Sequence, residues 1–300
     1  MEQAALSAFP APRERRGRRA SRHARATPPP IVELFEPALA DEGVWHNAGW
    51  TLNHVPALRC AVFRPDSEHP RVVVGVARFT RELTRFVLVP GTQDPGGEWS
   101  WHGGIPEDQR GALLAAFNSG FRTNESRGGF YVEGKLVRPL VANAASIVIS
   151  DDGNLDVLAW PENQPLEPQI VAVRQNLRLI VDGGEVVSGL AQNAGGAWGF
   201  TLNQGYYTWR SGLGIARDGS LMYLAGDGLT LVSLATALRH AGALRAMELD
   251  IHDQWSTFNV FTPSLEQPGL QATKLLPSMP RPAERYLAPD DRDFIAAFIR

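Results

Sequence analysis

Arg210, Glu248 and Asp250 bracket the run RSGLGIARDGSLMYLAGDGLTLVSLATALRHAGALRAMELD, which places one guanidinium and two carboxylates at element ends. Arg210 precedes Ser211-Gly212, so a planar fork of donors stands beside permissive backbone, an arrangement suited to phosphate or carboxylate. Glu248 and Asp250 alternate with Leu249; on a strand their side chains share a face. Two carboxyls on one face raise each other's pKa, which suits acid/base work, and a hydrogen-bonded pair at a strand end is the competing reading. Asp227, in Ala225-Gly226-Asp227-Gly228, is a further acidic candidate, although an Asp-Gly turn accounts for it equally.

Two other segments set polar groups beside glycine. In Phe117-Asn118-Ser119-Gly120-Phe121, glycine admits close backbone approach and Asn118 both donates and accepts. In Arg174-Gln175-Asn176-Leu177-Arg178, Arg178 alternates with Leu177 and Leu179 and faces away from them. After Asp250 come His252, Asp253 and Trp255. Asp250, His252 and Asp253 could seed a metal site, but contiguous residues seldom converge on one ion, so no metal ligand is assigned and no cofactor is expected; a divalent metal is the alternative. The chain has no GxSxG elbow, P-loop or HExxH.

The elements that must position these groups are legible in the apolar pattern. Residues 72–77 and 85–89 read as strands. Asp152-Gly153 and Asp218-Gly219 each separate two apolar runs and read as tight hairpins, and residues 179–181 followed by Asp182-Gly183-Gly184 repeat the signal. Thr230 is placed to cap a helix with Leu231, Leu234, Ala235 and Leu238 on one face, Arg239 and His240 in its last turn, and Gly242 ending it. Residues 107–117 are expected to be helical, with Leu113 and Leu114 inward. A short amphipathic helix after Asp290 is expected to carry Phe294, Ile295 and Phe298, with loop before it from Phe261. Strands outnumber helices, which predicts a single α+β domain: mixed, mostly antiparallel twisted sheets flanked by a few helices.

Composition bounds the rest. The 300 residues are 44% hydrophobic and 20% charged, enough to bury a sizeable core. A net charge of -3 gives the whole molecule no pull toward nucleic acid, and none is expected as a partner. The single cysteine, Cys60, excludes an internal disulfide framework. No apolar run approaches the length of a transmembrane helix, and no signal peptide is read at the N-terminus. Residues 1–30 carry seven arginines and end in three prolines, which predicts a disordered basic tail ahead of a globular region over 31–300. Membrane association is expected only through that tail or an upstream anchor; the oligomeric state is left open.

At these residues the chain resembles the phosphodiester glycosidase family, over about residues 110–260. The segment from Phe117 to Phe121 is similar to the family's N-G-G-F-F. Arg210-Ser211-Gly212-Leu213-Gly214 resembles its R-T-A-I-G strand. Asp227-Gly228 and Ala246-Met247-Glu248-Leu249-Asp250 follow its D-G…A-L-N-L-D order. Trp198-Gly199-Phe200 and Arg292-Asp293-Phe294 fit a bacterial branch. The resemblance implies a hydrolase that cleaves a sugar-1-phosphodiester, with a carbohydrate or sugar-phosphate substrate in an extracytoplasmic, cell-envelope setting. It implies Asp250, Glu248 and Asp227 as catalytic candidates, Asp250 and Glu248 serving as base and acid or as nucleophile and acid. Arg210 and Arg178 would hold phosphate, and Asn118, Ser119, Gly120, His252 and Trp255 would contact substrate. Where the family continues L-D-G-G-G-S, this chain has bulky residues at 251–255. That substitution motivates the alternative, a catalytically degenerate glycan-binding module of the same fold.

Overall fold

The computed structural model describes residues 12–15, 27–200, 206–263 and 269–300. Among them, the strands in chain order are β1 (Arg13–Arg15), β2 (His46–Leu52), β3 (Val55–Phe63), β4 (Val74–Phe79), β5 (Thr84–Val89), β6 (Leu113–Asn118), β7 (Phe130–Val132), β8 (Lys135–Arg138), β9 (Ala145–Ser150) and β10 (Leu155–Ala159). They continue with β11 (Ile170–Gln175), β12 (Leu179–Asp182), β13 (Glu185–Val186), β14 (Thr208–Ala216), β15 (Leu221–Leu229), β16 (Ala243–Ile251), β17 (Phe258–Pro263), β18 (Leu270–Lys274) and β19 (Phe294–Ile299). One α-helix, α1 (Leu231–His240), is described. The fold is therefore mostly β, which corrects the expected α+β balance.

A nine-stranded sheet runs β1-β2-β3-β4-β15-β14-β16-β12-β13 and is antiparallel except where β1 joins β2. Two five-stranded antiparallel sheets, β10-β9-β11-β7-β8 and β18-β17-β6-β19-β5, accompany it. Side chains from all three form one apolar core, including Phe79, Phe117, Tyr223, Phe258 and Ile295. The opposite face of the large sheet packs on α1 through Val76, Met222, Leu224, Leu234 and Leu238. The helix begins as its sequence dictates: the Thr230 hydroxyl accepts from the Ser233 N–H at 3.0 Å and Ser233 Oγ accepts from the Thr230 N–H at 2.8 Å, a reciprocal cap. The hairpins at Asp152-Gly153 and Asp218-Gly219 are present, joining β9 to β10 and β14 to β15.

Two helical expectations fail, and for one reason. Residues 107–112 form only a 3-10 segment, and Leu113–Asn118 is strand β6. The C-terminal FIAAFI is strand β19, inserted between β6 and β5. Every residue of both strands is buried. A strand covered on both faces is apolar throughout, and its period cannot be told from that of a short buried helix. In β19 the two faces feed different cores: Phe294, Ala296 and Phe298 enter one, Ile295, Ala297 and Ile299 the other. Strand β18 likewise interrupts the loop expected after Phe261. Most of the expected basic tail lies outside the described residues; within it, Arg13–Arg15 pairs with Trp50–Leu52 as an edge strand.

Candidate active site

Strands β14 and β16 are neighbours at the middle of the large sheet, and their register slips between Arg210 and Gly212. Gly212 lies opposite Glu248 and Arg210 opposite Ile251. Arg210 Nη1 donates to Glu248 Oε1 at 2.5 Å, and its Nε donates to the Leu229 carbonyl at 3.0 Å. Glu248 Oε2 is closed off from solvent without a hydrogen bond. Burial raises the Glu248 pKa, opposed by the Arg210 charge and hydrogen bond.

Asp250, one turn of the pleat further on, has a different partner. Arg292, just ahead of β19, donates from Nη2 to Asp250 Oδ2 at 2.9 Å and to the Gly120 carbonyl at 2.8 Å. The Ile251 N–H donates to Asp250 Oδ1 at 2.8 Å. Burial pushes the Asp250 carboxyl up to about 7, against the lowering influence of Arg292 and the Ile251 N–H, and nearby Glu248 adds to the rise. The Arg292 guanidinium lies 4.7 Å from the Trp255 ring centroid, a cation–π contact that fixes both side chains. Asp250, Arg292, His252, Trp255, Phe121 and Phe200 line an open cavity of about 640 Å³. Its rim adds Arg122, Arg127 and Glu125. A second cavity of about 370 Å³ has Arg210 in its wall, and the two share Gly199 and Phe200. Gly199 needs its glycine: φ is +81°, and a Cβ there would meet Phe121 at 3.2 Å.

Behind this surface lies a buried polar frame. Arg174 Nε donates to Asp293 Oδ2 at 2.8 Å, and both side chains are fully enclosed. Arg174 also donates to the carbonyls of Phe121 and Gln175, and Ser119 donates to the Asp293 carboxylate and carbonyl. Asn176 Nδ2 donates to the carbonyls of Glu248 (2.8 Å) and Leu249 (2.9 Å), while its Oδ1 accepts from the Phe121 N–H. The segment after β6 is thereby tied to the end of β16. Asn118 works similarly: Nδ2 donates to Ser211 Oγ at 3.0 Å, and Oδ1 accepts from Tyr223 OH at 2.9 Å and the Thr257 N–H at 3.1 Å.

The structure brings Asp250, His252 and Trp255 onto one cavity wall, with the Gly120 carbonyl held by Arg292 behind it. Glu248 and Arg210 form an adjoining pair. Asn118 and Ser119 are buried struts. Asp227 is exposed on β15, its carboxylate accepting from the Gly228 N–H, and it lines neither cavity. Arg178 is also exposed and lines neither, because the chain bends at Leu177 before β12 begins. The arginine at the carboxylate is instead Arg292, with Arg174 in the frame. Sequence reasoning placed neither in the site, although the Arg292-Asp293-Phe294 segment was its visible signal. The bulky residues after Asp250 do not fill the site: Ile251 packs on Phe121 and Leu177, while His252 and Trp255 border the open space. His252 occupies φ +76°, the conformation a glycine would take in such a turn. Among the described residues, no three His, Cys, Asp or Glu side chains are grouped to hold a metal ion. No described helix is long and apolar enough to cross a membrane.

Comparison with known proteins bears on the family and the fold. Residues 111–250 match the family model of phosphodiester glycosidase. The fold is similar to the catalytic domain of zebrafish N-acetylglucosamine-1-phosphodiester alpha-N-acetylglucosaminidase, solved in a form auto-inhibited by its pro-peptide. The TM-score is 0.52 at 18% identity, covering 83% of this chain and 85% of that one. A hypothetical protein from Synechocystis gives a TM-score of 0.49 at 13% identity over 84% of this chain and 64% of that one. No curated protein sequence gives a significant match.

Proposed function

From a chain whose residues 111–250 match the phosphodiester glycosidase family, we propose a hydrolase that cleaves the glycosyl bond of a sugar-1-phosphodiester. The observation that carries the reading is Asp250: a carboxyl with its pKa raised to about 7, gripped by Arg292, on the wall of an open cavity. A group with that pKa exchanges protons near neutrality, the property an acid/base catalyst needs. In the proposed reaction, water adds to the anomeric carbon, the bond from that carbon to the phosphate oxygen breaks, and the phosphomonoester leaves with the electron pair. Asp250 takes or delivers the accompanying proton. Arg292 places a positive charge where the leaving phosphate gains negative charge. Its Nε makes no hydrogen bond among the described residues and lies 3.8 Å from Asp94 Oδ2, a second carboxylate beside it. Trp255 offers an aromatic face to the sugar. Arg210 and Glu248 flank the site as a second charged pair. An extracytoplasmic cell-envelope glycan is the proposed substrate source.

The alternative, glycan binding without cleavage, is favoured by the side chains of His252 and Trp255 bordering the cavity just after Asp250. One experiment separates the two. Purified protein is incubated with a synthetic N-acetylglucosamine-1-phosphodiester, and the phosphomonoester product is quantified. The hydrolase reading expects turnover that falls about 10²- to 10⁴-fold in Asp250→Asn. Equal turnover in that variant removes Asp250 from the mechanism, and saturable binding with no product selects the binding module.

A further inference from the structure

Away from both cavities, the large sheet carries an arginine pair whose chemistry the proposed reaction does not use. Arg59 on β3 and Arg78 on β4 are direct cross-strand partners, so their side chains stand together on one face. The face is the one that packs on α1, since Ala61, Phe63, Val74 and Val76, at alternate positions on the same strands, all join that core. Beyond the arginines the row ends in exposed Asn47 on one side and buried Met222 on the other.

Like charges directly opposite in a sheet repel, and buried charges are ordinarily paired. Arg78 has a partner: its Nη2 donates to Asp218 Oδ2 at 2.7 Å. Arg59 is only 5% exposed, and no described residue accepts a hydrogen bond from its guanidinium. Of its nitrogens, only Nε is both closed off from solvent and unbonded. Burial and the Arg78 charge both disfavour its cationic form. Two guanidiniums and one carboxylate leave a surplus positive charge on rigid backbone. Arginines at directly opposed positions, about 4.5–5.5 Å apart at Cβ, can both reach one anion, and guanidinium forks suit phosphate oxygens.

We propose that Arg59 and Arg78 form a second anion site that binds a phosphate group. The site is independent of the catalytic reading. A phosphate there would accept from Arg59 and share Arg78 with Asp218, supplying the negative charge that the sheet lacks at this point.

Isothermal titration of the full chain with inorganic phosphate, in a buffer free of other oxyanions, tests this. Wild type should show saturable phosphate binding that persists in Arg292→Met, so that an anion held in the catalytic cavity does not account for it. Arg59→Met should weaken that binding about tenfold or more, the loss of charge-assisted hydrogen bonds. The same variant should unfold at higher urea than wild type when phosphate is absent, since an unpaired buried charge has been replaced by an apolar side chain. Asp218→Asn should tighten phosphate by removing the competing carboxylate. A parallel titration of Arg292→Met with glucose 1-phosphate, which removes the phosphate contact of the catalytic cavity, distinguishes a free phosphate from one carried on a sugar: stronger binding of the ester assigns the sugar-linked form, and weaker binding the free ion. No saturable phosphate binding to wild type, undiminished binding in Arg59→Met, or binding abolished by Arg292→Met would each overturn the proposal.

Discussion

Replacing Asp250 with asparagine should shift stability toward the variant as pH rises from acid to neutral. In the unfolded chain this carboxyl ionises around its ordinary 3.8; in the native state burial holds it near 7. Between those values the native state keeps a proton that the unfolded chain has released. Native stability therefore falls as pH rises through the window from about 4 to about 7, and the contribution is fully present below it. Carrying one carboxyl across that interval corresponds to about 4 kcal/mol. Asparagine resembles the protonated form and never pays the ionisation cost. Its single oxygen can accept from Arg292 or from the Ile251 N–H but not from both, which sets a pH-independent offset. Against that offset, the stability of Asp250→Asn relative to wild type should rise by about 4 kcal/mol between pH 4 and pH 8. Glu248, whose pKa is also raised by burial, tilts both proteins alike and largely cancels in the difference. Urea unfolding of both proteins at several pH values measures it. A difference that does not change with pH, or one that moves toward wild type as pH rises, would show that Asp250 ionises freely in the native state and would refute the burial argument.

Asp293→Ala should cost about 3–5 kcal/mol in urea unfolding, because it leaves Arg174 enclosed without its carboxylate; adding Arg174→Met should recover much of the loss. Asn118→Ala should lower stability by about 1–3 kcal/mol by orphaning the groups it bridges, and should leave KM for any hydrolysed substrate unchanged. A raised KM with unaltered stability would return Asn118 to the substrate surface.

What the sequence disclosed follows from where local chemistry is sufficient. The Thr230 cap, the periodic face of α1 and the Asp-Gly hairpins depend on near neighbours, and all are present. Strands β6 and β19 escaped because central burial erases alternation. In the site, Glu248 and Asp250 were visible as a strand end, but their partners were not. Arg292 is 42 residues from Asp250 along the chain, and Asp293 is 119 from Arg174. No local pattern encodes such pairings; only the insertion of β19 between β5 and β6 creates them. Arg178 stands outside both cavities for the converse reason. Its alternation with leucines was real, but a bend at Leu177 replaces the strand on which that alternation would have aimed it.

That insertion of β19 also sets an order of events during synthesis. Arg292 and Asp293 emerge from the ribosome after every other residue of the charged frame. Until then Asp250, Arg174 and the strand edges of β5 and β6 must wait without their partners. The nascent protein thus carries a nearly complete framework whose acid has not yet been tuned. Strand β19 closes an apolar sheet and delivers Arg292 to Asp250 and Asp293 to Arg174 in one step, so the sheet and the charged frame of the site form together.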